Sequence, residues 1–440
     1  MHKGESLPGN KRVALGFDKT GGETKWFDEL ERKRSRGPVT EQNRLMSRTL
    51  SPETLAVHAG TYEDPVTGSV GTPIFQTSTF LLDELSYQAF DDGSFRDVPI
   101  YTRYGNPSQW AVQEKIATLE NAESAVVTSS GMSAIAATVY GLTNAGSHII
   151  SAHDVYGGTY NLLREDMPSA GREVSFVDPT DLASVAAAIR PETQLLFFET
   201  LTNPLLKMID LPALAKLVAD ADALLVVDNT FLSPVNARPL EHGATVVVHS
   251  ATKYLSGHSD LTAGAIAGPR KFLDRIWSQT MRFGGTLEPF SCFLLERGLK
   301  TLAIRIAAQN RNAEKVARFL SGHPAVHRVL HPTCGTVPRP PIDLSGYPGF
   351  GGMVSFEVAG GDAAALAVMG RLEIPYVATS LGGVESLVSM PFNTSHSSLT
   401  ARQRSAIGIN PGLIRFSAGI ENAGDLIRDL AQALGSPDGA

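Results

Sequence analysis

From Asn121 onward, short apolar runs alternate with longer stretches in which apolar residues recur every three to four positions. An unbroken or alternating apolar run marks a strand, and a 3.6-residue period marks a helix. SAVVTSS predicts a strand and GMSAIAATVYGL a helix. HIISA leads into a helix through Leu162, Leu163 and Arg164, EVSFV into DLASVAAAI, and QLLFFE into DLPALAKLVADAD. ALLVVD and ATVVVHS close the series, with AGAIAG predicted to return beside them. This alternation predicts an α/β domain with a mostly parallel central sheet. Runs such as LLVV and TVVV are apolar on both faces, as strands covered by helices on each side must be.

After Pro289 the pattern changes. One long helical stretch covers FLLERGLKTLAIRIAAQNRNAEKVARFL, followed by the strand-like pieces AVHRVL, MVSFEV, ESLVSM and LIRFSAG. DAAALAVMGRL and AGDLIRDLAQAL carry helical spacing, so a smaller α+β C-terminal domain is expected. TCGTVPRPPIDLSGYPGFGG, rich in Pro and Gly, predicts a surface connection. The expected division is a polar extension over 1–50, an arm over 51–105, the α/β domain over 106–295 and the C-terminal domain over 296–440.

Composition narrows the class. A hydrophobic content of 42% and a charged content of 19% over 440 residues describe an ordinary globular protein of two or three units. The net charge of −7 argues against a nucleic-acid or anionic-membrane partner. No apolar stretch reaches the length of a membrane span. Cys292 and Cys334 lie in neither CxxC nor HxC spacing, so neither a metal site nor a disulfide framework is expected. Residues 1–50 carry charges of both signs and no apolar core of a secretory signal, and a cytoplasmic location is expected. Asn393-Thr394-Ser395 matches a glycosylation sequon, a coincidence in that setting.

The candidate chemistry centres on Lys253. It follows the apolar run Ala244 to Val248 and is bracketed by the hydroxyls of Ser250, Thr252 and Ser256. Asp228 closes an equally apolar run, LLVVD. In SSGMSA, Gly131 stands between a strand end and a helix start, where backbone amides favour an anion. A lysine, an acid and an anion cradle at the ends of neighbouring strands suit pyridoxal 5′-phosphate (PLP): the lysine forms a Schiff base, the acid holds the ring nitrogen, and hydroxyls with amides take the phosphate. Tyr156, followed by two glycines, offers an aromatic plate for a flat ring. Singly, each has an ordinary reading: Lys253 as a surface cation, Asp228 as a helix cap, Gly131 as a turn, Tyr156 as a half-buried core ring. Their order on one sheet carries the joint reading. Neither GxxxxGK[ST] nor GxGxxG after the first strand is present, which excludes the common nucleotide cradles.

These residues sit within TLAVHAG, PIFQTSTF, YTRYGNPS, SSGMSA, DVYGGTY, FFETLTNP, VVDNTF, HSATKYLSGHSD, SLGGVESL and GLIRFSAGIEN. In that order they resemble the Cys/Met-metabolism family of PLP enzymes, of PLP fold-type I, over about residues 52 to 435. The resemblance implies that Lys253 carries the cofactor, Asp228 pairs with its ring nitrogen, Asn203 lies near its phenolic oxygen and Tyr156 stacks on the ring. It implies that Gly131, Met132, Ser250 and Thr252 bind the phosphate, and that the arm brings Tyr101 and Arg103 to the neighbouring subunit's phosphate in a homotetramer. Arg415, with Ser380, would hold the substrate's α-carboxylate; a guanidinium fork suits two-point contact.

Departures from the family bear on the substrate. Members that handle cystathionine usually carry an acid where this chain has Ile100 and an arginine where it has Asn161, and both read the substrate's far end. Methionine γ-lyases carry a cysteine where this chain has Gly158. Glu385 remains, either as a contact for a basic or polar tail or as a solvated loop carboxylate. The expected activity is γ-elimination on a small amino acid with a leaving group at Cγ: a thiolate, or an oxygen substituent of homoserine, a cationic guanidinooxy tail among them. The alternative is γ-replacement, as in a cystathionine γ-synthase or an O-acylhomoserine sulfhydrylase.

Overall fold

The computed structural model describes residues 50–62, 64–334, 344–394 and 399–435. The polar extension, apart from Leu50, and half of the Pro/Gly-rich connection lie outside the described residues.

A seven-stranded sheet is built from β1 (Ser124–Thr128), β2 (His148–Ala152), β3 (Glu173–Val177), β4 (Thr193–Glu199), β5 (Leu224–Asp228), β6 (Val246–His249) and β7 (Gly264–Gly268). Its order is β1-β7-β6-β5-β4-β2-β3. Neighbours from β6 through β3 are parallel, and β7 runs antiparallel to both β6 and β1. The predicted return strand is therefore the one reversal. The double-sided apolar pattern has its expected cause: Leu195, Phe197, Val226, Val246 and Val248 pack into one core, while Leu196, Phe198, Leu225, Val227 and Val247 pack into another on the opposite face. Burying each such side chain contributes roughly 1.5–3 kcal/mol, so this slab fixes where the strand ends lie.

Four helices matter for the site. α1 (Pro52–His58) packs on α2 (Pro107–Leu119) through Lys115, whose buried Nζ donates to Ala56 O and Val57 O at 3.2 and 3.3 Å. α3 (Gly131–Leu142) starts at Ser130, whose Oγ accepts from Ser133 N at 3.1 Å. α4 (Arg270–Phe283) lies along α3 and covers the same face.

The single long helix expected after Pro289 is two: α5 (Pro289–Leu299) and α6 (Leu302–Ser321). Beside the break Gly298 packs closely: an added Cβ would lie 2.3 Å from Ser256 O. Arg305 of α6 reaches back across the joint, donating to Gly298 O at 2.8 Å and Tyr254 O at 2.7 Å. The helix expected through Leu162 also differs. A short α-helix over Gly157–Asn161 widens into a π-turn over Leu162–Asp166.

A second, five-stranded sheet comprises β8 (Val326–Leu330), β9 (Met353–Val358), β10 (Tyr376–Val377), β11 (Leu387–Ser389) and β12 (Leu413–Ser417), in the order β10-β11-β12-β9-β8. Phe356, Ile414 and Phe416 pack against Val316 and Leu320 of α6 and against Leu426 and Leu430 of α7 (Ala423–Leu434). This packing places Arg415, in the middle of β12, opposite the strand ends of the first sheet.

Candidate active site

Open α/β sheets bind ligands beyond the carboxyl ends of their strands. A cavity of about 530 Å³ opens there, where β4, β5 and β6 end against the loop preceding β11. Asp228 and Glu199, paired in register on adjacent strands, form its floor. Asp228 Oδ1 accepts from Thr230 N at 2.9 Å and Thr230 Oγ1 at 2.5 Å. Burial pushes its pKa up, and the two Thr230 donors oppose that push. Thr230 Oγ1 also accepts from Ser250 N at 2.8 Å, joining the acid to the loop that carries Lys253.

Glu199 ties the floor to the walls. Its Oε1 accepts from Tyr156 N at 2.8 Å and its Oε2 from Asn203 N at 3.0 Å. Burial and then the neighbouring Asp228 hold its pKa well above the usual carboxylate range.

Lys253, in the loop after β6, lines the same cavity. Its Nζ donates to Ser380 Oγ at 2.6 Å, and burial, helped by the nearby Arg415, lowers its pKa to about 8. Ser380 adopts φ +83°, a left-handed conformation rare for a residue with a side chain. Arg415 donates from Nη2 to Ser380 O and from Nη1 to Asn203 Oδ1, both at 3.2 Å. Burial lowers its pKa to about 10, so it stays charged at neutral pH, and among the described residues no carboxylate lies within 4.0 Å of it. A fork held by neutral acceptors is ready for an incoming carboxylate.

Gly131 and Met132 form the first turn of α3 at the cavity edge. A Cβ on Gly131 would lie 2.8 Å from Ser250 Cβ, so only glycine lets the helix end sit against Ser250. Thr252 lines the same corner and exchanges hydrogen bonds with Ala263. Tyr156 is 42% exposed on the cavity's open side. A Cβ on Gly158 would meet its ring at 2.7 Å and Met132 Sδ at 2.9 Å, which explains why a glycine follows at that position. A buried acid, a half-buried amine in the same cavity and a helix N-terminus at the rim fit the ring nitrogen, aldehyde and phosphate of PLP.

Other expected residues lie elsewhere. Tyr101 is 41% exposed, and Arg103 donates to Met281 O at 3.2 Å with its guanidinium over the rings of Tyr101 and Tyr104; neither lines the cavity of its own chain. Ile100 is buried, its carbonyl accepting from Phe80 N at 3.1 Å. Asn161 ends the short helix after Tyr156 and does not line the cavity. Glu385 also lies off the lining, accepting from the Ser259 hydroxyl, so the expected tail contact is not made within this chain's cavity. Ser256 is directed to Asp260 Oδ1 at 3.4 Å, away from Lys253. Sequence reasoning missed Glu199, Thr230, Thr379, Asn393 and Thr394, all of which line the cavity. The signal for Glu199 was present: it closes QLLFFE just as Asp228 closes LLVVD.

The family profile described as Cys/Met metabolism PLP-dependent enzyme matches residues 53–435. The chain belongs to this family. It is therefore a PLP-dependent enzyme of the trans-sulfuration group, with the fold expected of it. It is 39% identical over 388 residues to the L-methionine gamma-lyase of Fusobacterium nucleatum subsp. polymorphum, covering 87% of this chain and 97% of that one. It is 40% identical over 386 residues to the cystathionine gamma-lyase of Bacillus subtilis (strain 168), covering 88% of this chain and 99% of that one. The crystal structure of cystathionine gamma-lyase from Lactobacillus plantarum complexed with L-serine matches with a TM-score of 0.81 at 38% identity, over 87% of this chain and 98% of that one.

Proposed function

We propose that the protein is a PLP-dependent γ-lyase acting on a small amino acid with a leaving group at Cγ. The observation that carries this reading is the junction of Lys253, Ser380 and Arg415 in a chain that spans nearly the whole length of relatives named γ-lyases. Bound PLP supplies an electron sink for charge developed at the substrate's Cα and Cβ.

In this reading the chain's own groups do the following. Arg415 takes the α-carboxylate in its fork, with Ser380 beside it. Asp228 meets the ring nitrogen and keeps its proton in place. Asn203 holds the phenolic oxygen, Tyr156 covers the ring, and Gly131, Met132, Ser250 and Thr252 take the phosphate. Lys253 would move the substrate's Cα proton and then a Cβ proton; burial supports this role, lowering its pKa to about 8 in the cofactor-free chain. Tyr156 serves the departing group at Cγ. Ile100 and Asn161 leave a cystathionine-type tail without its usual partners.

The assembly in this reading is a homotetramer in which the arm over 51–105 brings Tyr101 and Arg103 to a neighbouring subunit's phosphate. Support comes from the apolar residues the arm exposes, Val70 at 93%, Leu81 at 96% and Tyr87 at 61%. The α/β unit over 106–295 binds cofactor, the unit over 296–440 supplies Ser380 and Arg415, and the enzyme works in the cytoplasm.

The test is a panel of methionine, homocysteine, cystathionine, O-acylhomoserines and a guanidinooxy amino acid, with every product identified by mass spectrometry. Release of 2-oxobutanoate and ammonia without added thiol is expected from at least one substrate. Thioether formed in its place once a thiol is supplied would turn the assignment to γ-replacement.

A further inference from the structure

Tyr254 directly follows Lys253, is 1% exposed and does not line the cavity, so the chemistry above leaves it without a task. Its side chain reaches from the loop after β6 to the second sheet. Tyr254 Oη accepts from Gly352 N at 2.8 Å, and Gly352 O accepts from Ala418 N at 2.7 Å. Gly352 stands one residue before β9, and Ala418 one residue after β12, the strand that carries Arg415. A Cβ on Gly352 would lie 3.2 Å from the phenol oxygen and 2.7 Å from Ala418 O, so only glycine lets phenol and strand end meet there.

The same ring meets the loop that holds Ser380. A Cβ on Gly382 would lie 2.8 Å from Tyr254 N and 3.0 Å from its Cγ, and Gly382 has φ +77°. Gly382 N donates to Ser417 Oγ at 3.0 Å, a second path from this neighbourhood to β12. Two residues before Gly382, Ser380 takes Lys253 Nζ on its hydroxyl and Arg415 Nη2 on its carbonyl. One buried ring thus joins the segments that carry the amine, its hydroxyl partner and the guanidinium. A substrate must reach the carbon held by Lys253 and the Arg415 fork at once, and small errors in such a separation are costly.

We propose that Tyr254 is a positioning residue that sets the separation between the Lys253 amine and the Arg415 fork, so that one small amino acid engages both. It acts through Gly352 and Gly382 and touches neither substrate nor cofactor. The inference rests on the reading of Lys253 as the cofactor's lysine and of Arg415 as the carboxylate site. Tyr254→Phe keeps the ring but leaves the buried Gly352 N–H without its acceptor, and the end of the second sheet must shift to satisfy it.

The test uses the PLP-loaded enzyme and two probes, aminooxyacetate and O-methylhydroxylamine. Each displaces Lys253 from the cofactor's aldehyde carbon, giving an oxime and the free lysine amine, and the fall in visible absorbance yields a second-order rate constant. Only aminooxyacetate carries a carboxylate for Arg415. Tyr254→Phe should react with aminooxyacetate about tenfold more slowly than the wild type, and with O-methylhydroxylamine at the wild-type rate. An unchanged rate with aminooxyacetate, or an equal change with both probes, overturns the proposal. Ser417→Ala, which frees the Gly382 loop from β12, should show the same selective loss. It decides by the same criterion where Tyr254→Phe gives no folded, loaded enzyme. A wild type that does not favour aminooxyacetate would overturn the Arg415 reading, and one without the absorbance of lysine-bound PLP would overturn the cofactor reading.

Discussion

Glu199 and Asp228 occupy matching positions at the ends of adjacent parallel strands, and both reach the same cavity. They are not equivalent. Among the described residues the Asp228 carboxylate accepts from Thr230 alone, whereas each oxygen of Glu199 takes a backbone N–H from a different segment. Glu199→Gln puts an amide N–H where one of those amides donates, and leaves a buried donor unpaired. The expected cost is about 1–3 kcal/mol of stability, read by urea unfolding of the PLP-free enzyme. PLP affinity should fall as well, because the backbone at Tyr156 and Asn203 loses its common anchor.

Lys253 is a half-buried cation in the absence of cofactor, its pKa lowered from the usual 10.5 to about 8 by burial. Because its folded pKa is lowered, its protonation opposes folding. That penalty is fully present below pH 8 and is gone above about 10.5. Lys253→Met should therefore raise the Tm of the PLP-free protein below pH 8, with the gain shrinking towards zero as the pH approaches 10.5. A gain that persisted undiminished at high pH would point to packing rather than charge. The same variant should show no covalently retained cofactor after borohydride reduction.

Arg415 spends both ends of its fork on neutral acceptors, Asn203 Oδ1 and Ser380 O. Arg415→Lys keeps the charge but loses the two-point geometry, so KM should rise while kcat changes little. Arg415→Ala removes the charge altogether and should lower kcat/KM by roughly 2–5 kcal/mol. Steady-state kinetics on any accepted substrate separates the two.

Glu385 does not line the cavity, and its carboxylate is engaged by the Ser259 hydroxyl. Glu385→Gln should leave the ranking of cationic, neutral and anionic substrate tails unchanged. A change of tail preference in the same panel would restore the contact expected from sequence.

The strands of the mostly parallel sheet and several polar residues at their ends were readable because each depends on a local pattern. LLVVD and TVVVHS announce double-sided burial, and Asp228 and Ser250 at the ends of those runs line the crevice. Lys253, Asp228, Asn203 and Arg415 were found by that logic and by motif. Other features depend on where distant segments meet. The break between α5 and α6 falls at Lys300-Thr301, beside the close packing of Gly298 on Ser256, which no periodicity encodes. Glu385 was expected as a tail contact because it matches the acid of the family's pattern, and only tertiary packing turns it towards Ser259. Asn393 and Thr394, dismissed as a chance sequon, reach the cavity because the segment after β11 folds over it.

Arg305 grips the backbone one residue beyond Lys253 while sitting near the start of a twenty-residue helix that also buttresses the second sheet. The height of the reactive amine above the cavity floor is thus geared to the seating of that helix. Sliding the helix by a fraction of a turn would move the amine as a lever moves its load, so distant changes along Leu302–Ser321 can retune the reaction without altering any group that touches the substrate.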